Sequence, residues 1–385
     1  MLSSPEGSGF SGRAAKSRPR SARSLLAPVK ICDPATLATI SAQRGRERHH
    51  GGGRRGMDQA QRREHVGDDR RMVTVRPIAR SELAAFARPG GAGASADGLE
   101  AEFAEMWRDG ESGPEWCFVA EDEHRPVGRL AIAALPVGCG LTTIEHRLLA
   151  PWLADEDADG VEVARQLLEA SAGALPPGAQ TLDARLNPET QLDAHTWRAA
   201  LDASAFTLFQ EKHGFTWTDD RGPLPASPRL GFRSLGEIGR DEYAAAMAGG
   251  IVGTLDRNDR HYVGLCGPSG WGREMLGYLG PGDDASWLVA DAPDGSLVGY
   301  VAVSAFDEPD TGTIIHIGVL PEQRGFGYVD ELLAAVARVA RDRGFGQLLS
   351  DVDTENAPML AAMRRAGHDP GARPWHVWHY RLASG

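Results

Sequence analysis

An α/β fold (α+β by some schemes) built as two similar domains is what the sequence predicts, and three observations predict it. The chain has 385 residues, too many for one core when domains cluster near roughly 100–150 residues. Strand and helix periods alternate along it. The order β-α-α-β-β-β-α-β-α-β then occurs twice, with matching elements roughly 150 residues apart, about one domain.

The first pass opens with a strand at 73–77, Val73-Thr74-Val75-Arg76-Pro77. Helical spacing follows over 81–87 and 99–108. Two apolar runs, 116–120 and 127–134, flank a polar turn at 121–125 and read as strands. Residues 142–149 form another strand, 161–174 a helix, 181–186 a strand and 194–212 a helix. Gly214-Phe215 starts the last strand. Residues 218–228, rich in Asp, Pro and Gly, read as a linker.

The second pass begins with a strand at 230–235 and a helix at 241–248. Strands 286–290 and 297–305 are joined through Asp294-Gly295, a strong hairpin signal. Residues 313–320 read as a buried strand, 328–343 as a helix, 347–352 as a strand, 358–366 as a helix and 377–382 as the last strand. The organisation predicted is a tail at 1–71, a first domain at 72–217, a linker at 218–228 and a second domain at 229–385.

Charge separates the tail from the rest. The formal net charge is −12, but residues 1–71 carry 15 basic and 7 acidic side chains, against 26 and 46 in the remainder. The tail has neither helical nor strand period and is expected to be a disordered basic extension, with Met57 and Met72 standing as alternative starts. No apolar run is long enough to span a bilayer, so a cytoplasmic protein with no membrane and no nucleic-acid partner is expected. Cys32, Cys117, Cys139 and Cys266 show no C-x-x-C spacing, which argues for reduced thiols rather than a disulfide framework. His376 and His379, three apart on a strand, point to opposite faces, so no metal site is expected.

The most informative stretch is Ile314-Ile315-His316-Ile317-Gly318-Val319-Leu320-Pro321-Glu322-Gln323-Arg324-Gly325-Phe326-Gly327-Tyr328-Val329. An apolar strand ends at Pro321, two glycines follow, and a helix begins whose apolar stripe is Val329, Leu332, Leu333, Val336 and Ala340. A strand feeding a glycine loop at a helix N-terminus presents free N–H groups and the positive end of a helix dipole, which suits a phosphate. The spacing is neither G-x-G-x-x-G nor a Walker loop, since Asp330 stands where a third glycine would and no Gly-Lys-Ser/Thr occurs.

These residues resemble the GNAT family of N-acetyltransferases. The family's acetyl-CoA loop, Q/R-x-x-G-x-G/A after a strand ending in Val-x-Pro, is matched by Val319, Pro321, Arg324 and Gly327, with Val329 where Gly or Ala is usual. Asp351-Val352-Asp353-Thr354-Glu355-Asn356 and Ala366-Gly367-His368 match the strand end and turn that follow in the family. The resemblance implies two GNAT-like domains, each a mixed, mostly antiparallel sheet flanked by helices.

It also implies acetyl-CoA as co-substrate, with its pyrophosphate on the N–H groups of Gly325, Phe326, Gly327, Tyr328 and Val329 and with Arg324 beside it. The pantetheine arm would lie along Ile317, Gly318 and Val319, and Asn356 would meet its amide region. An acceptor amine then attacks the thioester, with a backbone N–H near Val319 as oxyanion donor. Asp351 is the first candidate base, Asp353 shares its strand face, and His316 is the third candidate; a satisfied core histidine is the competing reading of His316. The family's usual proton-donating Tyr is replaced by Met363, leaving Tyr328, Tyr380 or water.

In the first half the matching loop is Ala154-Asp155-Glu156-Asp157-Ala158-Asp159-Gly160. Its four carboxylates would each oppose a pyrophosphate at a cost on the order of 1 kcal/mol or more. Only the second half is therefore expected to bind acetyl-CoA. The functional expectation is transfer of acetyl to a small-molecule amine by a monomer or homodimer. The alternatives are a non-catalytic acyl-CoA sensor and an activity like that of mycothiol synthase, a tandem member of the family.

Overall fold

The computed structural model describes residues 73–385 apart from 89–95, 137–143, 155–157, 178, 180, 189–190, 192, 221, 223–227, 307 and 382–385. The tail at 1–71 and three of the four carboxylates of the first half's acidic loop (Asp155, Glu156 and Asp157) lie outside the described residues, as does most of the linker.

The first half runs β1 Thr74–Pro77, α1 Leu83–Ala87, α2 Ala96–Asp109, β2 Cys117–Asp122, β3 Arg125–Pro136, β4 Ile144–Leu153, α3 Ala158–Gly173, β5 Thr181–Leu186, α4 Ala194–Asp202 and β6 Phe206–Thr218. The second half repeats the order with β7 Gly231–Ser234, α5 Leu235–Ile238, α6 Arg240–Gly250, α7 Arg257–Met275, β8 Trp287–Asp291, β9 Leu297–Ala305, β10 Thr311–Val319, α8 Tyr328–Asp342 and β11 Gln347–Asp353. It closes with α9 Ala357–Arg365, β12 Asp369–Pro370 and β13 Trp375–Arg381.

Two elements differ from expectation. The helix expected over 194–212 stops at Asp202, because Ser204 turns the chain: its Oγ donates to Leu201 O at 2.8 Å and accepts from Phe206 N at 3.3 Å. The residues that follow become β6, which has strand partners on both sides. The stretch 249–285, left without an element, holds α7. Its glycines blur any apolar stripe, and it breaks at Gly267 (φ 69°, ψ 165°) before Pro268. Gly272 lets it close onto α6, since a Cβ there would lie 2.4 Å from Ala244 O.

The strands form one continuous mixed sheet in the order β1-β2-β3-β4-β5-β13-β6-β11-β10-β9-β8-β7, with β12 on β6. Most neighbours are antiparallel; β4 with β5 and β10 with β11 are parallel. At the centre the halves exchange strands. The last strand of the chain, β13, pairs with β5 of the first half, and β6 of the first half pairs with β11 of the second.

Each half buries both sheet faces under helices, the arrangement that lets strands be apolar on both sides. In the second half Leu332, Leu333 and Val336 of α8 pack with Val298, Val301 and Leu348, each burial contributing about 1.5–3 kcal/mol. On the other face Tyr243 and Met247 of α6 and Trp271 of α7 cover Trp287, Val289 and Tyr300. No helix among the described residues is long and apolar enough to cross a membrane.

Candidate functional site

The parallel pairing of β10 with β11 covers only Thr311–Thr313 against Gln347–Leu349. Beyond it the two strands part: Ile314 to Val319 pair only with β9, and Ser350 to Asp353 only with β6. The wedge so opened leaves one edge of β10 with backbone groups available to an extended ligand. Ile314 lies opposite Val303 and His316 opposite Ala302, so Ile315 is the extra residue of a β-bulge, a device that re-aims side chains next to a site. Ile317, Gly318 and Val319, the predicted pantetheine-contacting residues, lie on this edge just past the bulge.

The loop after β10 has the shape expected. Gly325 and Gly327 have φ 85° and 77°, and a Cβ at either would meet no atom within 4 Å. The backbone conformation requires glycine there, and the space above both residues is open. Gly327 is the N-cap of α8 with no side-chain cap. The first-turn N–H groups of Tyr328 and Val329 therefore face outward without an intrahelical acceptor, beside an exposed Phe326. An anion fits this cradle.

The structure places Arg324 against the protein's own carbonyls. Its guanidinium donates to Gly250 O at 2.9 Å, Val252 O at 2.7 Å and Gly253 O at 3.2 Å, and to Val319 O at 3.0 Å. It thereby caps the end of α6 and ties it to the end of β10, holding the loop from beneath. Arg229, which the sequence reading passed over, straps the loop from outside. It donates to Phe326 O at 3.0 Å, pairs with Glu331 of α8, and stacks over Tyr328 at 4.6 Å.

Facing the wedge, β11 brings Asp351 and Asp353 to one sheet face, but their surroundings differ. Both oxygens of Asp353 are engaged, Oδ2 by Gln210 Nε2 and Arg257 N (2.8 Å each) and Oδ1 by Glu355 N at 2.8 Å. Among the described residues Asp351 pairs with the Nζ of Lys212 from β6. Burial pushes the Asp351 carboxyl above the ordinary carboxylate range, and Lys212 pulls it back. Lys212, the only lysine after residue 30, also lies 3.3 Å from Asp256 Oδ2 and 5.6 Å from the centre of the Trp375 ring. Burial opposes its charge, but Asp256 and Asp351 outweigh that and raise its pKa.

His316 has both ring nitrogens engaged: Nδ1 lies 2.8 Å from Tyr300 OH, and Nε2 lies 3.1 Å from Asp259 Oδ2 of α7. Tyr300 is held by close backbone on two sides, since a Cβ at Gly318 would stand 2.7 Å, and at Gly250 2.5 Å, from its ring. Burial, with Asp256 nearby, raises the Asp259 carboxyl, against the pull of His316. These groups lie deep yet keep some exposure: 9% for Asp351, 14% for Lys212, 18% for His316. They are deep but not fully enclosed.

Asn356 caps α9, its side-chain oxygen accepting from Met359 N at 3.3 Å, so its NH₂ takes no part in the cap. Met363 is buried in the α8 core. Of the hydroxyls expected to replace it, Tyr328 lies on the loop under Arg229, whereas Tyr380 packs on Phe206 in the first half at 5.2 Å. The sequence reading missed Lys212, Asp256, Asp259 and Tyr300 as site residues. Only Lys212 carried a signal, as an isolated lysine in an arginine-rich chain. No cluster of three or more His, Cys, Asp or Glu among the described residues is arranged to hold a metal.

Comparison with known proteins finds likeness in the same stretch. Residues 259–368 match the model of the acetyltransferase (GNAT) family. Streptothricin acetyltransferase of Streptomyces lavendulae is 40% identical over 91 residues, 24% of this chain and 48% of that protein. The chain thus spans about half the length of that curated relative. A GCN5-related N-acetyltransferase from Sphaerobacter thermophilus aligns over 82% of this chain and 98% of its own, at TM-score 0.49 and 19% identity. The glucosamine N-acetyltransferase region of a fungal multi-domain GH3 β-N-acetylglucosaminidase covers 80% of this chain and 38% of that one, at TM-score 0.50 and 14% identity. Wedge, bulge and glycine loop all fall in the stretch, residues 259–368, that matches the GNAT acetyltransferase family model.

Proposed function

We propose that the second half transfers the acetyl group of acetyl-CoA to the amine of a small molecule by direct attack. The observation that carries this reading is the wedge between β10 and β11 opening beside the N-terminus of α8, within the segment that matches the family. The pyrophosphate would rest on the N–H groups of Gly325 to Val329, where the dipole of α8 favours negative charge. The pantetheine arm would add along the free edge of β10 at Ile317–Val319, as an extra strand does, with the amide of Asn356 across the wedge.

Asp351 is the base that the geometry favours, because Asp353 and His316 have their polar atoms engaged. It takes a proton from the acceptor ammonium, the amine nitrogen forms the C–N bond, and the C–S bond breaks to give CoA thiolate. An N–H near Val319 would steady the oxyanion. The thiolate takes a proton from water or from Tyr328.

Calorimetry with acetyl-CoA followed by thiol release across an amine panel tests this. Binding with turnover supports it, and no heat with acetyl-CoA would sink it. A second reading, an acyl-CoA sensor, is favoured by Met363, which has no proton to donate and is only 1% exposed. Heat without turnover on any amine selects that reading.

A further inference from the structure

The cluster of buried charged side chains around Asp351 continues into the first half, and its chemistry changes there. Glu145 and Arg147 of β4 and Asp183 and Arg185 of β5 alternate along their strands. Arg147 lies directly opposite Asp183, so all four project from one sheet face. His379 of β13 continues that face opposite Asp183, with Nε2 3.2 Å from its carboxylate. Helix α7 roofs the face and joins it to the second half. Its Tyr262 donates to Glu145 Oε2 at 2.5 Å and its His261 Nε2 lies 3.3 Å from Oε1, while Asp259 one turn earlier holds His316.

Two of these groups lack what their chemistry demands. The Nε and Nη1 groups of Arg185 and the Nε of Arg147 are buried and have no hydrogen-bond partner among the described residues. A guanidinium this deep is normally paired, because an unmet charged donor carries its full desolvation cost. Burial pulls Arg185 down to about 10, and the positive charge of Arg147 adds to the effect. Both residues retain partial exposure, although these three nitrogens are themselves buried. Arg185 is also near enough to Asp351 for its charge to favour that carboxylate.

We propose that Arg147 and Arg185 bind a carboxylate on the acceptor, so that the substrate is an amino acid or a similar compound carrying an amine and a carboxylate. This rests on the acetyltransferase reading and names the substrate class of the same site. The amine sits at Asp351 and the carboxylate is forked by Arg185 with Arg147 behind it, a geometry guanidinium groups favour. A singly charged anion suits the pair better than a phosphate dianion. Glu145, hydrogen-bonded to Tyr262 and His261, and Asp183 already supply negative charge beside the two arginines.

The test compares matched acceptors with the full chain and acetyl-CoA: lysine against cadaverine, and ornithine against putrescine. The expected result is kcat/KM at least tenfold higher for the member with the carboxylate. Arg185→Gln is expected to collapse that ratio through KM rather than kcat, and Arg185→Lys to restore part of it. Equal kcat/KM within each pair in the native protein, or an equal loss for both members on Arg185→Gln, overturns the proposal. A direct arm needs no turnover: 4-aminobutyrate raises the melting temperature more than butylamine does, and Arg185→Gln removes the difference. Equal shifts overturn the carboxylate site even if acetyl-CoA binds. No heat with acetyl-CoA overturns the enzymatic reading and leaves this melting difference as a separate result.

Discussion

The two halves solve the same local problem with arginines drawn from different places. In each, a helix between the first and second strands ends near the fourth strand, and carbonyls there take arginine donors. In the second half Arg324, from the loop after β10, donates to Gly250, Val252 and Gly253 past α6 and to Val319 of β10. In the first half Arg129, from the middle of β3, donates to Phe86 O of α1 and Ala150 O of β4. Burial pulls Arg129 down to about 10. The tie is equivalent, but its origin is not. An arginine within the loop fixes the path that Gly325 and Gly327 must follow, whereas Arg129 lies on a strand and outside the loop after β4. A phosphate cradle therefore needs an anchored loop as well as glycines.

The largest test of this contrast lies where the halves cease to be separate. Lys212→Met leaves Asp351 and Asp256 buried without their cation, and breaking such a pair costs about 3–5 kcal/mol. Urea unfolding should show that loss, with Asp351→Asn added to Lys212→Met recovering part of it. The pH profile should move as well. Burial raises Asp351 and Lys212 lowers it, so the basic form disappears as pH falls through a value above the ordinary Asp range. Without Lys212 that acid limb of kcat/KM should move to higher pH; a shift to lower pH would contradict the assignment of Asp351.

Next in size is Gly327→Glu, which forces a side chain into φ 77° at about 1–3 kcal/mol and adds a charge facing the pyrophosphate. Acetyl-CoA affinity should fall about a hundredfold by calorimetry, roughly 2.7 kcal/mol. Asp159→Ala in the first half should leave that affinity within about twofold, and a comparable loss there would break the asymmetry.

Arg324→Ala and Arg129→Ala should each cost about 1–3 kcal/mol of stability through unmet carbonyls. Only Arg324→Ala should weaken acetyl-CoA binding, which separates loop shaping from simple anchoring. Smallest is Tyr300→Phe, which removes one hydrogen bond to His316 at about 1 kcal/mol. A much larger loss in kcat than in stability would make that hydroxyl a participant in the chemistry.

Much of the second half was legible because its signals are local. The stripe Val329, Leu332, Leu333, Val336 and Ala340 and the turn at Asp294-Gly295 need no tertiary information, and α8, β8 and β9 lie where these place them. The loop glycines were readable for the same reason, since positive φ is a property of the residue itself. What escaped depends on distant chain. β6 looked like the continuation of a helix because its partners, β13 and β11, lie more than a hundred residues away. Helix α7 lacks a stripe because its close approach to α6 needs glycines such as Gly272. Asp259, Arg185 and Lys212 come together only through strand exchange and the packing of α7.

The exchange of strands also sets an order of manufacture. β5 emerges from the ribosome nearly two hundred residues before β13, the strand that must lie beside it. The first half therefore waits, with one sheet edge unsatisfied, for the last strand of the chain to be made. An unpaired edge invites pairing with other chains, so a stalled or shortened chain would leave β5 exposed to its neighbours.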